Sequence, residues 1–424
     1  MNSAALSRIK RIAIVSDSLP YPRCTGDTMR VAEMIEVLRK AGWEVHFIAP
    51  TLNDERDGQD CLKYVDYFHA YITPINLGLL RRLILILLRF LYRIKVLVAK
   101  LIRRRFVILP AKDWWGRYPQ GLDDFVRTLH NQFSFEVVMV EYIWQYPACG
   151  KLPDNVLKIL DTHDLQYLRV QEFASRGLRF PLPITQKQEA RIFALFNAII
   201  AIQSQEADLI RSMVPGGKVL VVGTSAQPQT SIESDPVPER ILYVGGDNPA
   251  NADGLRRFLE HCWPVIADRY PGASLHVVGN VSRNFPGQKF ERVEFLGHVP
   301  DVAMEYKQAE VAINPIWIGT GLKIKTVEAL AHGKPLVTTG KGVEGMHPAA
   351  VKACTIAHSE AEFAEAVMQL LASEDLRRAN SERARAFADD MLSLEAVYGD
   401  LLAFLDQHAR NSSGLVSSAS HSAV

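Results

Sequence analysis

Short apolar runs with polar ends recur along the chain at the spacing of strand–helix–strand units, and this rhythm limits the fold more than any other feature. "RIAIVSD" (11–17) leads into a loop holding Pro20, Pro22 and Gly26. A helical pattern follows from about Thr28 to Ala41, with Val31, Ile35 and Leu38 on one face. Gly42 stops that helix and "EVHFIAP" is the next strand. Strand, helix, glycine stop and strand make a right-handed βαβ unit on a parallel sheet. "EVVMVEY", "VLKILDTHD", "AIIAIQS" and "KVLVVG" continue the series as strands buried on both faces.

The Pro-, Ser-, Thr- and Gln-rich segment 224–240 reads as a linker. After it the rhythm restarts with "RILYVGG", a helix from Asn251 to Tyr270, "SLHVVGN", "VEFLGHV", "VAINPI", "PLVTT" and "ACTIA". At 424 residues the chain exceeds one compact core. Two α/β domains with Rossmann-like parallel sheets are therefore expected, at 1–223 and 241–390. A closing helix is expected at 391–410, and the Ser-rich tail 411–424 reads as disordered.

With 48 basic and 47 acidic residues, the whole chain shows no bias toward nucleic acid. Five scattered cysteines without a C-x-x-C pair fit reduced thiols in the cytoplasm, not a disulfide frame or a zinc site. The apolar piece Ile12–Val15 is too short for a signal-peptide core.

Charge is nevertheless distributed unevenly. Between Tyr67 and Lys112 there are ten Lys or Arg and no Asp or Glu. Helical projection places Arg82, Arg89, Arg93, Lys100 and Arg104 in one stripe, beside a broad sector of Leu, Ile, Val and Phe. No apolar run there exceeds six residues, against the ~20 that a spanning helix needs. The segment 79–105 thus has the pattern of a helix lying in an anionic membrane surface, or of a domain helix with a solvated basic face. The first reading places the protein peripherally on the inner face of the cell membrane.

The chain has no P-loop, H-E-x-x-H, G-x-S-x-G or manganese-type D-x-D. A G-x-G-x-x-G at Gly340, Gly342 and Gly345 is followed by Met346-His347-Pro348, where a dinucleotide site requires a helix, so a turn explains it. "GTGLKIKTVEALAHG" is more informative. It puts Gly319 and Gly321 before a helix expected from about Gly321 to His332, with Gly333 as its stop. Helix N-termini attract phosphate, and glycines let backbone approach it closely. Lys323 and Lys325 add charge, and Glu328, two turns on, suits a ribose diol. The bland alternative is a tight turn with solvated lysines.

At this point "PIWIGTGLKIKTVEALAHGKPLVTTGKGVEGM" resembles the donor site of the family-four retaining glycosyltransferases, also called group one, of GT-B fold. "SDSLPYPRCTGDTMRVAEMIEVLRKAGWEVHFIAP", "LDTHD" and "YVGGDNPANADGL" are similar to further stretches of that family. So is the C-terminal "RRANSERARAFADDMLSLEAVYGDLLAFL".

The resemblance implies two domains facing across a cleft, with C-terminal helices crossing back to the first. It implies donor contacts from Gly245, Gly319, Thr320, Gly321, Leu322, Lys323, Lys325 and Glu328. His163 would lie near the transferred sugar, with Gly26 and Glu141 on the acceptor side; Arg169 and Trp144 are further acceptor-side candidates. It also implies transfer from a nucleotide-diphosphate sugar with retention, without metal or other cofactor, to a lipid-linked or polysaccharide acceptor.

Two departures stand out. Thr320 occupies the place of the first glutamate of the family's E-x7-E motif. Gly246-Asp247-Asn248 stands where many relatives carry Arg and Lys. A nucleotide-sugar 2-epimerase on the same fold and a catalytically degenerate nucleotide-binding scaffold remain as alternatives.

Overall fold

The structure, a computed structural model, describes residues 9–22, 26–50, 55–71, 119–175, 184–226, 235–319 and 322–421. The basic segment 79–105, Thr320, Gly321 and the middle of the expected linker lie outside the described residues. The chain divides into two compact units, 1–199 with 415–424, and 200–414.

Among the described residues the first sheet carries β1 (Lys10–Val15), β2 (Trp43–Ala49), β3 (Tyr67–Ala70), β4 (Val137–Glu141), β5 (Leu157–Asp161), β6 (Ala198–Ala201) and β7 (Lys218–Val221). Their order is β3-β2-β1-β4-β5-β6-β7. β1 pairs in parallel with β2 on one side and β4 on the other. Its Ile12, Ala13, Ile14 and Val15 are wholly buried, as a central strand covered on both faces requires. The helix Gly26–Lys40 returns the chain between β1 and β2, and Gly42, at φ 81°, closes it through Gly42 N–H to Arg39 O at 3.0 Å.

The second sheet carries β8 (Arg240–Val244), β9 (Ser274–Val278), β10 (Val293–Gly297), β11 (Val311–Asn314), β12 (Leu336–Thr339) and β13 (Thr355–Ala357), in the order β10-β9-β8-β11-β12-β13. Its described pairings are parallel. Tyr243, Phe258 and Phe363 centre one apolar layer. Val327, Leu330, Leu336 and Phe387 contribute to a second, separate cluster.

In both sheets the order of strand addition reverses once, between β1 and β4 and between β8 and β11. Parallel sheets bind ligands in the crevice outside the carboxyl ends of strands at such switch points. The sequence-expected strands all appear.

Three helical details differ from expectation. The span Asn251–Tyr270 is not one α-helix but Pro249–Arg257, a wider π-turn at Phe258–Cys262, and Trp263–Arg269. Pro264 has no N–H to give, and the wide turn absorbs the missing bond. The helix expected from Gly321 starts at Ile324, because Lys323 still has extended backbone, φ −93° and ψ 91°. The last helix, Leu394–His421, runs on through 411–421, where disorder was expected. Extending a formed helix adds a hydrogen bond per residue without a new nucleus. No described helix is long and apolar enough to cross a membrane.

Candidate active site

In the second unit, Gly245 and Gly246 follow β8, and the loop 315–319 follows β11. Gly279 follows β9, and a side chain on it would lie 2.3 Å from Gly245 O, so only backbone fits between the turns after β8 and β9. Asn248 caps the helix Pro249–Arg257 by accepting from Asn251 N–H at 2.8 Å, and Asn251 Nδ2 donates to Gly246 O at 3.0 Å. That helix sits directly on the loop after β11, because a Cβ on Gly254 would come 2.4 Å from Pro315 O. Gly319 has φ 115°, a conformation glycine alone adopts readily.

The helix Ile324–Ala331 begins from this loop with Lys323 as its N-cap residue. Lys323 is buried, its ammonium 3.5 Å from Gly319 O. Below it, Asn314 Nδ2 donates to Thr326 Oγ1 at 2.8 Å, and Thr326 Oγ1 donates to Gly342 O at 2.7 Å. The strand end, the helix start and the turn after β12 are thereby joined. Thr326 N–H already bonds Lys323 O at 2.8 Å, so the N–H groups of Ile324 and Lys325 are those a helix start leaves open beside this lysine.

Glu328 is half-buried, and among the described residues its carboxylate has no hydrogen-bond or ion-pair partner; burial pushes its pKa up to about 6. Such a group suits hydroxyl donors from a ligand. Lys325 differs from the expectation of a free point charge. Its ammonium lies 2.5 Å from Asn251 Oδ1 and over the Tyr243 ring, 5.0 Å from the centroid. Leu322 packs against the apolar cluster behind the helix.

In the first unit, β4 ends on Glu141 and β5 on Asp161, both wholly buried. Arg30, from the helix Gly26–Lys40, holds Asp161 with Nε at 2.9 Å and a second nitrogen at 2.8 Å. His163 Nε2 bonds to Glu141, and its ring stacks on Tyr142 at 3.9 Å between centroids. Burial acts to depress the His163 pKa, but the Asp161 and Glu141 carboxylates outweigh it and raise the value. Burial, with help from Asp161, pushes Glu141 up as well.

Tyr142 and His163 have φ 66° and 57°, a region that side chains other than glycine seldom occupy. Strain of this kind concentrates at functional sites. Trp144 stacks on the other side of Tyr142 and donates to Asp17 at 3.1 Å, while Arg169 pairs with Asp164 at 3.0 Å. Gly26 opens its helix.

Glu141, Asp161 and His163 each bring one ligand atom within 4.8 Å of the others, the one such trio among the described residues. Arg30 already neutralises Asp161, and the imidazole favours its proton, so the trio fits a charge-balanced knot better than a metal chelate.

The sequence had nominated His163 and Glu141 separately, and the structure bonds them directly. It had not nominated Arg30, Tyr142, Asp161, Asn251, Asn314 or Thr326. Tyr142, Asp161 and Asn314 end strands or immediately follow them, and that position is the signal available in the sequence. Nothing local marks Arg30 or Asn251.

Residues 238–373, which contain the whole loop–helix arrangement after β8 and β11, match the family Glycosyl transferases group 1. These residues form a group 1 glycosyltransferase domain.

Solved structures extend the likeness in fold to nearly the whole chain. TarM from S. aureus matches at TM-score 0.67 and 9% identity, over 94% of this chain and 99% of that one. Sucrose-phosphate synthase from Thermosynechococcus elongatus matches at 0.64 and 16%, over 96% and 100%. HepE from Anabaena, in complex with UDP, matches at 0.62 and 12%, over 94% and 100%. These place both sheets in the GT-B fold. No curated protein matches the chain.

Proposed function

We propose that this glycosyltransferase moves a sugar from a nucleotide-diphosphate sugar to a lipid-linked or polysaccharide acceptor at the inner face of the cell membrane, retaining the anomeric configuration. The reading is carried by one observation: Gly319 at φ 115° and buried Lys323 stand at the N-terminus of Ile324–Ala331, with Glu328, unpartnered among the described residues, further along. In this reading the first-turn N–H groups and Lys323 hold the diphosphate and stabilise the charge that grows on it as the glycosidic bond breaks. No metal is assigned to that step, since fixed dipoles and an ammonium can neutralise the leaving group. Glu328 accepts from the ribose hydroxyls. His163, whose pKa Asp161 and Glu141 raise, donates to the transferred sugar or its acceptor. UDP in the HepE structure and UDP with a glycan in a TarM structure support nucleotide-sugar chemistry on this fold.

The test is nucleotide release from a panel of UDP- and GDP-sugars, with and without lipid-linked acceptors. Lys323→Ala and Glu328→Ala are each expected to lower turnover by about 10²-fold or more. Near-normal rates in both variants end the proposal. Donor conversion without any acceptor points instead to an epimerase, and no nucleotide binding at millimolar concentration points to a scaffold.

A further inference from the structure

Lys325 lies two residues after Lys323 but in a different setting. Its ammonium is 2.5 Å from Asn251 Oδ1, 3.4 Å from Tyr243 Oη and 5.0 Å from the centroid of the Tyr243 ring. All three partners are neutral, since burial pushes the Tyr243 phenol above its ordinary pKa. Among the described residues no carboxylate is hydrogen-bonded or ion-paired to this lysine. Lys323 is the charged group acting on it, and it carries the same sign.

The tether has a definite anchor. Asn251 also donates to Gly246 O at 3.0 Å, and its main-chain carbonyl accepts from Tyr243 Oη at 3.2 Å. Lys325 therefore joins Ile324–Ala331 to the turn that opens Pro249–Arg257. Both helices start at the carboxyl ends of neighbouring strands, β11 and β8. The Gly246-Asp247-Asn248 turn brings no cation of its own. Lys325 reaches it from the other side of the switch point.

We infer that Lys325 is the proton-linked positioning residue of the nucleotide site, taking up a proton when a diphosphate arrives at these two helix N-termini. The inference rests on the donor-site reading above. A half-buried ammonium with neutral partners and a cationic neighbour gives up its proton more readily than a solvated one. Burial first, and Lys323 second, bring Lys325 down to about 7. A diphosphate reverses the balance, because an adjacent anion favours the charged form. Donor binding is then strongest below neutrality and weakens as pH rises through 7, by up to about tenfold per pH unit.

Isothermal titration with UDP-glucose and with GDP-mannose tests this, since neither sugar nucleotide has a phosphate proton titrating near neutrality. Enthalpies measured at pH 7.5 in phosphate and in Tris give the number of protons exchanged. The wild-type protein is expected to take up roughly half to three quarters of a proton at pH 7.5 and close to none at pH 6. Lys325→Arg stays charged, so its uptake and its pH dependence of affinity should both vanish. Asn251→Asp supplies a carboxylate beside the ammonium and should abolish the uptake by a separate route, guarding against a misfolded arginine variant.

Nucleotide binding without proton uptake in the wild-type chain, or uptake unchanged in both variants, overturns the inference and leaves the donor site standing. If neither sugar nucleotide binds any of the three proteins, the donor-site reading itself is wrong, and the inference goes with it.

Discussion

The imidazole of His163 lies flat on the phenol of Tyr142, with ring centroids 3.9 Å apart and planes 15° from parallel. The two residues follow neighbouring strands, β5 and β4, and both have positive φ. With one face covered by Tyr142 and Nε2 bonded to Glu141, the ring has little freedom to turn. Replacing Glu141 by Gln removes a carboxylate that favours the charged ring. The His163 pKa should then fall, which a pH titration of its ring proton resonances measures. An unchanged titration would show that Asp161 alone sustains the charge.

Arg30 and Asp161 form a buried pair, 5% and 0% exposed. Asp161→Asn leaves the guanidinium buried without its counter-charge and should cost about 3–5 kcal/mol in chemical denaturation. Adding Arg30→Met should recover most of that loss. A double variant as unstable as the single one would mean that the aspartate acts through other contacts.

Glu328 should set stability against function. Its pKa rises from 4.5 to about 6 on folding, so the folded chain holds this proton more tightly. The resulting cost grows between pH 4.5 and 6 and is constant above. For a half-buried group it is about 1 kcal/mol. Glu328→Gln is therefore expected to raise the melting temperature at pH 7.5 by roughly 2–4 °C and to leave it unchanged at pH 4. Nucleotide turnover should fall in the same protein.

Gly254 offers a way to move the donor loop without touching it. Alanine inside a helix normally favours the helix by about 1 kcal/mol over glycine. Here its Cβ would meet Pro315 O at 2.4 Å, so the 315–319 loop must shift. Gly254→Ala should weaken nucleotide binding about tenfold at little cost in helix content. Calorimetry and circular dichroism report the two effects separately.

The basic segment 79–105 is expected to carry the chain to anionic vesicles. Cosedimentation with phosphatidylserine vesicles should fall with salt, and charge reversal at Arg89, Arg93 and Lys100 should release the protein. Equal sedimentation with neutral vesicles would remove the electrostatic basis for this reading.

Much of the fold was legible because apolar runs bounded by polar ends report burial locally. β1, β4 and β8 are such runs, and Gly42 and Gly333 mark where helices stop. Helix starts were less legible. Lys323 stays extended where the pattern put a helix, and Pro264 is accommodated by a π-turn that no local pattern announces. The donor loop was readable from its glycines and lysines. The environments of its two lysines were not, because Asn251 lies 74 residues before Lys325.

By itself, the sequence determined two parallel-sheet halves and a glycine–lysine turn leading into a helix that bears Glu328, since burial pattern and turn chemistry are properties of short stretches. Tertiary structure alone decided which charges are paired. It set Lys325 against a phenol and an amide, gave Glu328 no partner among the described residues, and bonded His163 to Glu141. Electrostatic environment depends on what the remote chain brings within a few ångströms, and that distance is settled only when the sheets assemble.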